Sequence, residues 1–345
     1  MYSGNSGSRN MALPNECEVL LAAWRALAGR TNEPGWRCIP VATYAHCHLL
    51  AGRRFPGNEE ALLAGFHLDI PPTELPLGHG FAVLTVDMGT TEPDRVWFGL
   101  VRQPAGNPEM FTLMAADMVS TLGAASGLDE GALFRLFLDR IRAWQNFMRR
   151  GQDGLLSAEA ELGLHGELIL LALLLDAGLN ALSAVEAWRG PLHGLHDFET
   201  ATGAIEVKTT VSEQGFPVKI LSLEQLDPSL AEPLYLAGIH LSIDPEGLNL
   251  AGRIEATRQR LRNDSAVLHA FNTLLLHAGY ADAMADRYPR RFVHNRSRLL
   301  RVDDRFPNLI RSKIPSAVTT VRYEIDLDRI ECEDQILTNI LLHNE

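Results

Sequence analysis

The sequence predicts an α/β protein of mixed α+β type with two domains. The chain has 345 residues, which is enough for two cores of ordinary size. Hydrophobic residues make up 46% and charged residues 21% of it, as in soluble globular proteins. Helical and strand patterns alternate along its length. This alternation favours an α+β domain over residues 13–150 and, over residues 151–345, a mixed sheet with helices packed on it.

The first domain is predicted from its periodicity and its turn residues. Cys17–Ala28 and Leu128–Arg150 have the apolar spacing of amphipathic helices. Two short apolar runs, Gly80–Met88 and Arg95–Gln103, are typical of strands joined by a turn-rich segment. Pro56–Leu63 (PGNEEALL) combines a capping residue with an acidic first turn, which predicts the start of a helix. The stretch RRGQDG after the last helix indicates the domain boundary.

The second domain opens with a helix and continues into predicted strands. Ser157 can cap that helix, whose first turn is acidic, and Gly178 ends it. Pro233–Asp244 has the nearly continuous apolar character of a buried central strand. The remaining predicted elements are strands at AVEAW (Ala184–Trp188), RFVHNRSRLLRV (Arg291–Val302) and AVTTVRYEIDL (Ala317–Leu327), and helical sequence over Arg253–Ala278.

Composition and charge exclude several classes of protein. The longest apolar run, Leu168–Leu175, is far shorter than the roughly 20 residues that span a bilayer. Residues 1–12 are small and polar, which predicts a disordered tail rather than a secretory signal. The four cysteines show neither C-x-x-C nor zinc spacing, so we expect reduced thiols in a cytoplasmic protein. The net charge of −12 argues against a general nucleic-acid coat.

One short stretch, HGLHDFETATGAIEVKTT (His193–Thr210), has the pattern of a β-hairpin with polar groups on one face. A turn at Ala201–Thr202 places Asp197 opposite Glu206 in an antiparallel pair, with Cβ atoms about 5 Å apart. Lys208 follows at i+2, so it projects from the same face. It is one of only three lysines in the chain. A three-residue turn with a left-handed glycine would shift this register slightly.

Two opposed carboxylates on a half-buried sheet repel each other unless a cation lies between them. Mg²⁺ prefers such oxygen ligands, together with substrate phosphate. A nearby lysine can orient or deprotonate the attacking water, or balance charge in the transition state. The opposite face, with Phe198, Ile205 and Val207, is predicted to enter the core. The alternative is a surface hairpin in which Lys208 simply pairs with Glu206, an interaction worth little.

A third carboxylate, Glu167, lies in the helix before the hairpin. Its helical neighbours at i−3, i+3, i+4 and i+7 are all leucines. A glutamate on an apolar helix stripe is costly unless it is paired or bound to metal. The pattern leaves open a second possibility, a glutamate at the edge of the stripe that reaches water or an arginine.

Together these residues resemble the PD-(D/E)XK, restriction-endonuclease-like nucleases, and more narrowly a bacterial family of PD-(D/E)XK motif proteins. The pattern is a helix glutamate followed by Asp-x(8)-Glu-x-Lys on a hairpin. The family's proline before the aspartate is absent, because His196 stands there. The segments that carry the resemblance are RRFPGNEEALL (Arg53–Leu63), RAWQNFMRRGQDGLLSAEAELGLHGELILL (Arg142–Leu171), AWRGPLHGLHDF (Ala187–Phe198), AIEVKTT (Ala204–Thr210) and ILSLEQLD (Ile220–Asp227).

The resemblance implies a restriction-endonuclease-like second domain with Asp197, Glu206, Lys208 and Glu167 as its catalytic residues. The three carboxylates and the backbone carbonyl of Val207 would hold Mg²⁺ or Mn²⁺, and Lys208 would activate or position water. The implied function is a metal-dependent endonuclease that hydrolyses DNA phosphodiester bonds in a restriction-like or anti-phage defence system. We expect a homodimer or partner proteins, because an acidic nuclease binds DNA weakly alone. The N-terminal domain would recognise the substrate or a partner.

A basic segment, Arg287–Lys313, is the predicted DNA contact. It carries nine basic residues against two aspartates and interleaves them with Tyr288, Phe292 and Phe306, which suits phosphate contact and base stacking. The alternative is a solvated strand and loop. The candidate DNA-contacting residues are Arg290, Arg291, Arg296, Arg298, Arg301, His196 and Gln225.

Three alternatives to this function stay open. His193 and His196 have H-x-x-H-D spacing, which suits a transition metal, although no third distant ligand is evident. A nuclease fold can be catalytically silent and serve DNA binding or the scaffolding of a complex. A metal-dependent hydrolase of nucleotides or RNA would use the same residues. No phosphate-binding glycine loop is present, so any ATP dependence would come from a partner.

Overall fold

The computed structural model describes residues 13–68, 75, 80–88, 94–149 and 155–341. Its chain divides into two compact units, Met1–Gln152 and Asp153–Glu345. The predicted tail over residues 1–12 and most of the RRGQDG boundary lie outside the described residues. Within them, helices combine with antiparallel and mixed sheets, which confirms the predicted fold class. No helix in the described part of the chain is long and apolar enough to cross a membrane.

The first unit packs helices on an antiparallel sheet of strand order β1-β2-β3-β5-β4. The predicted terminal helices and the strands at β4 and β5 are confirmed. Phe137 of the last helix lies 5.3 Å from Phe66 on β3, ring centroid to ring centroid, and both rings are buried. The elements are α1 (Leu13–Leu27), β1 (Gly35–Thr43), β2 (His48–Phe55), β3 (Glu59–Phe66), β4 (Phe81–Val86), β5 (Val96–Arg102), α2 (Pro108–Ala124) and α3 (Glu130–Met148).

The segment PGNEEALL, predicted as the start of a helix, is instead a turn followed by the first half of β3. The turn contains Asn58 with a left-handed φ of 60°. Glu60 then forms ion pairs with Arg53 on β2 (3.0 Å) and Arg102 on β5 (2.7 Å). The prediction was wrong because this carboxylate neutralises arginines on both neighbouring strands rather than facing a helix N-terminus.

The second unit is built on a mixed sheet of strand order β10-β9-β7-β6. The strands β6 (Phe198–Thr200) and β7 (Gly203–Thr210) form the predicted hairpin, and β9 (Leu234–Leu248) is the predicted apolar strand. This strand runs parallel to β7 and antiparallel to β10 (Phe292–Arg301). The sequence Glu206-Val207-Lys208 therefore lies on a strand that has a neighbour on each side.

The helix that carries Glu167 is α4 (Ala158–Asp176). The hydroxyl of Ser157 caps it by accepting a hydrogen bond from the Ala160 N–H, and Gly178 follows its end with a left-handed φ of 99°, as predicted. After it comes α5 (Ala181–Ala187), a helix where AVEAW was predicted as a strand. A five-residue apolar run is too short for periodicity to separate the two structures.

Two other predicted elements are only partly present. The helical sequence over Arg253–Ala278 is divided into α6 (Leu250–Leu261) and α7 (Ser265–Ala278), because Asp264 caps the second helix. Of the predicted strand at AVTTVRYEIDL, only β11 (Tyr323–Asp326) is regular, and it pairs with β8 (Pro217–Ile220) in a separate small sheet. The final described helix is α8 (Leu337–Leu341).

Two apolar cores flank the mixed sheet. On one face Phe198, Ile205 and Val207 join the helices α4 to α7, which confirms the predicted inward face of the hairpin. On the other face Ala204 joins the core beneath β8 and β11. The alternation along β7 thus places Glu206 between buried strands, where a carboxylate needs a partner.

Candidate active site

The register of the hairpin determines which polar groups meet. Regular pairing covers three residue pairs, in the register predicted for a turn at Ala201–Thr202. The ladder stops before Asp197, so Asp197 and Glu206 are not the backbone pair that the sequence predicts. The regular pairs are Phe198–Ile205, Glu199–Ala204 and Thr200–Gly203.

Asp197 is brought to the site by hydrogen bonds that replace the missing ladder. Its backbone carbonyl accepts the N–H groups of Arg189 (2.8 Å) and Gly190 (3.0 Å). Its Oδ2 accepts the N–H of Val207 at 2.8 Å. Burial raises the pKa of Asp197, while Lys208 and the Val207 N–H oppose the rise. The carboxylate is therefore fixed beside β7 by the same backbone that carries the two other motif residues.

Glu206 and Lys208 form a buried ion pair. The Nζ of Lys208 donates to Oε1 of Glu206 at 2.6 Å, with side-chain exposures of 13% and 3%. The pairing matches the surface-hairpin alternative, but the burial does not, because an exposed pair would be mostly solvated. Burial and the charge of Asp197 raise the pKa of Glu206 to about 7, and Lys208 opposes them. Lys208 thus offsets only part of the cost of burying the charged Glu206 carboxylate beside Asp197.

Glu167 extends from α4 toward the same group. Its Oε2 accepts a hydrogen bond of 2.6 Å from the indole N–H of Trp188. Burial and then the charge of Asp197 raise its pKa well above the ordinary value, with Glu206 adding to the rise and Trp188 and Lys208 opposing it. Its described partner is the Trp188 indole rather than an arginine, and the charges of Asp197 and Glu206 act on it, which places it beside the other two carboxylates.

Gly190 leaves a gap that is bounded by two of these carboxylates. A Cβ at this position would lie 2.7 Å from Oε2 of Glu167 and 3.0 Å from Oδ1 of Asp197. Any other residue here would press its side chain against both oxygens. The space that the glycine leaves is therefore lined by one carboxylate oxygen from α4 and one from the loop before β6.

The donor set of the site fits a hard divalent cation. Asp197 raises the pKa of both Glu167 and Glu206, and Glu206 adds to the rise at Glu167. Three such carboxylates provide the oxygen ligands that Mg²⁺ and Mn²⁺ prefer, and a cation relieves their repulsion. No group of three or more His, Cys, Asp or Glu side chains in the described part of the chain is already gathered around one point. Each carboxylate is instead held by a protein donor: an indole, an amide or an ammonium group.

Among the described residues, no hydrogen bond joins the side chains of the two histidines or the glutamine of the sequence analysis to these carboxylates. His193 is exposed and left-handed (φ 59°), while His196 is buried, 2% exposed, against the backbone of Gln225. The Oε1 of Gln225 accepts the N–H of Leu221 at 2.9 Å, within its own turn. Burial makes a direct DNA contact by His196 untenable, and the two imidazoles do not share an environment that would suit a transition metal.

Most of the predicted DNA-contacting arginines are bound within the protein. Arg290 pairs with Glu161 (2.7 Å), Arg296 pairs with Asp328 (2.7 Å), and Arg291 donates to a backbone carbonyl. Arg298 is 14% exposed and donates to Asp334 and to three carbonyls.

Arg301 is exposed, as are Arg291 and Arg296. The predicted base-stacking role is wrong for all three aromatic residues, because each is at most 2% exposed. They are Tyr288, Phe292 and Phe306.

Trp188 and Gly190 are site residues that the sequence analysis missed. Both lie in AWRGPLHGLHDF, a segment that carried the family resemblance without an assigned role. A useful signal was present, since a buried tryptophan N–H needs a hydrogen-bond acceptor. The sequence does not say which acceptor, and Glu167 lies 21 positions away.

Comparison with known proteins agrees with this geometry. Residues 20–328 match the model of a family described as "Putative PD-(D/E)XK family member, (DUF4420)". Neither the curated proteins nor the solved structures contain a significant match to the chain. The matched region covers most of both units and includes the helix glutamate, the hairpin and the lysine. The chain therefore belongs to this PD-(D/E)XK, nuclease-like family.

Proposed function

We propose that the chain is a metal-dependent endonuclease that hydrolyses phosphodiester bonds in DNA. The observation that carries the proposal is the cluster of Glu167, Asp197 and Glu206 beside the Lys208 ammonium group. Three partly compensated carboxylates destabilise the fold, and a purely structural subunit has no use for them. A divalent cation offsets that cost, so the arrangement suits a protein that functions with metal.

Each residue of the cluster has a role in this reaction. Glu167, Asp197 and Glu206, with the carbonyl of Val207, would hold Mg²⁺ or Mn²⁺. Such a cation supplies charge neutralisation and lowers the pKa of the water that attacks phosphorus. Lys208 Nζ, at 2.6 Å from Glu206, would orient that water and offset negative charge on the transition state.

DNA is the substrate that the family membership favours. Arg189, which directly precedes the Gly190 gap, and Arg301 are both exposed and suit contacts to backbone phosphates. With a net charge of −12, the chain would bind DNA weakly alone. Recruitment by partner proteins or by a second copy in a restriction-like or anti-phage defence system would overcome this weakness.

Cleavage assays with supercoiled, linear and single-stranded DNA, and with RNA, in Mg²⁺ or Mn²⁺ test the proposal. We expect wild type to cleave DNA and Lys208→Ala to be slower by roughly 10²–10³-fold, the usual effect of removing one charge-stabilising group. Lys219→Ala is the matched control, because Lys219 is an exposed lysine on β8 of the same unit. It should cleave like wild type.

The possible outcomes separate the proposal from its alternatives. Equal cleavage by wild type and Lys208→Ala would contradict the assigned site. Cation and DNA binding by wild type without cleavage would favour a catalytically silent subunit. Cleavage of RNA but not of DNA would favour the hydrolase of other nucleic acids.

A further inference from the structure

We propose that Trp188 is a positioning residue for the proposed metal site: its indole holds the Glu167 carboxylate at the Gly190 gap. The proposal rests on the proposed function and adds a residue to that same site. Trp188 would touch neither metal nor substrate. It would act through its indole N–H, which donates to Oε2 of Glu167 at 2.6 Å.

The indole is well placed to fix the direction of this carboxylate. Trp188 is 1% exposed, so its N–H has no access to solvent and Glu167 satisfies it. Its ring centroid lies 5.8 Å from that of Phe271 on α7. Its backbone directly follows the last residue of α5. A rigid, buried donor on one side of a flexible glutamate selects a single rotamer of that glutamate, which is how outer partners orient metal ligands.

The next two residues anchor the main chain that carries the second carboxylate. The N–H groups of Arg189 and Gly190 both donate to the backbone carbonyl of Asp197, at 2.8 and 3.0 Å. Oδ2 of Asp197 is taken by the N–H of Val207, which turns Oδ1 to the Gly190 gap. The tripeptide Trp188–Gly190 thus orients one carboxylate with a side chain and, with its backbone, anchors the main chain that carries the other.

The missing side chain of Gly190 completes the arrangement. The two atoms nearest to a Cβ built there, Oε2 of Glu167 and Oδ1 of Asp197, come from residues 30 positions apart. In the described part of the chain, no protein donor is recorded for Oδ1 of Asp197. The gap therefore presents an oxygen of Asp197 that accepts no hydrogen bond from the described residues, beside a second carboxylate that Trp188 holds in place.

Binding of Mn²⁺ to the full chain, measured by titration calorimetry, tests the role of Trp188. We expect Trp188→Phe to weaken Mn²⁺ binding by about 10–100-fold, as is usual for outer-shell partners of metal ligands. Phe271→Leu is the matched control: it loosens the same packing but keeps the indole N–H, so its affinity should stay within about threefold of wild type. Circular dichroism and thermal melts of each variant report on folding.

A double-mutant cycle distinguishes positioning from loss of structure. In a Glu167→Gln background the charged carboxylate is gone, so Trp188→Phe should change Mn²⁺ affinity by less than about twofold. An equal loss in both backgrounds would overturn the proposal, because the effect would not pass through Glu167. Wild-type affinity in Trp188→Phe would overturn it as well.

Gly190→Ala tests the same geometry without touching the indole, so the proposal stays testable if Trp188→Phe does not fold. The added Cβ would enter the gap between the two oxygens, and we expect at least tenfold weaker Mn²⁺ binding. Unchanged binding by this variant would overturn the assignment of the gap. If wild type itself binds no Mn²⁺, the proposed function fails together with this inference. If wild type binds Mn²⁺ and both Trp188→Phe and Gly190→Ala bind it equally well, only this inference is refuted.

Discussion

Replacing Glu206 by glutamine removes a buried carboxyl group that the metal-free protein tolerates poorly. The side chain is 3% exposed, and its partners are the favourable Lys208 ammonium group at 2.6 Å and the unfavourable charge of Asp197. Glutamine keeps nearly the same shape but cannot ionise. The variant therefore reports how much the free energy of unfolding depends on the charge of this one group.

The magnitude follows from the pKa of Glu206, which burial and Asp197 raise from an ordinary 4.5 to about 7. At 1.36 kcal/mol for each pH unit, the difference amounts to about 3 kcal/mol. Because the folded-state pKa is the higher one, the folded protein binds the proton more tightly than the unfolded chain. This stabilisation is fully present below about pH 4.5 and is lost as the pH rises through about 7.

Urea unfolding of wild type and Glu206→Gln between pH 5 and 8.5, in the presence of a chelator, measures this difference. We expect the unfolding free energy of wild type to fall relative to that of the variant by about 2.5 kcal/mol over this range, since pH 5 already lies above the unfolded-state pKa. Glu199→Gln is the control, since Glu199 is an exposed carboxylate on the same hairpin. If the free energies of unfolding of wild type and Glu206→Gln changed in parallel with pH, the reasoning would be refuted. A constant difference between the two curves would reflect only the lost ion pair with Lys208.

Three further predictions test other parts of the second unit. His165 is fully buried with both ring nitrogens unpartnered, and burial followed by Arg253 and Arg290 lowers its pKa to about 3. Below about pH 6.5 the unfolded chain protonates this imidazole while the folded protein keeps it neutral, so the unfolding free energy of wild type falls with the pH. His165→Leu should therefore gain about 2 kcal/mol relative to wild type between pH 7 and pH 5 in urea unfolding, and a constant difference would contradict this. Ser157→Ala removes the cap of α4 and should lower the unfolding free energy by about 1 kcal/mol, measured in the same assay. Arg301→Gln should weaken DNA binding and make the slope of log affinity against log salt concentration shallower by about one. An unchanged slope would show that Arg301 does not contact DNA.

The predictions that succeeded rest on short stretches of chain. The hairpin register follows from a turn and three residue pairs within eight positions, and the start of α4 follows from Ser157 and the residues next to it. The leucines around Glu167 predict that it needs a partner, and the family resemblance implied that it belongs with the hairpin residues. In each case the deciding interactions connect residues that are close in sequence or depend on the chemistry of one side chain.

The predictions that failed involve competition between distant groups. The acidic pair in PGNEEALL suits a helix start, but Glu60 is claimed by arginines on two neighbouring strands. The aromatic residues of the basic segment look available for stacking, yet Phe292 and Phe306 are covered by the cores on the two faces of the sheet. Most of its arginines are likewise paired with residues far along the chain, such as Arg298 with Asp334. A sequence pattern does not show which of several distant groups a side chain will contact in the folded protein.

Residue type and local spacing alone predicted the mixed fold class and the hairpin, and the resemblance to the PD-(D/E)XK nucleases implied the set of Glu167, Asp197, Glu206 and Lys208. Only the tertiary structure decided that Asp197 leaves the ladder, that Trp188 holds Glu167, and that Gly190 opens a gap lined by two carboxylates. The reason is that a carboxylate's direction depends on donors from other elements. These donors are brought together only when α4, α5 and the hairpin pack into one core.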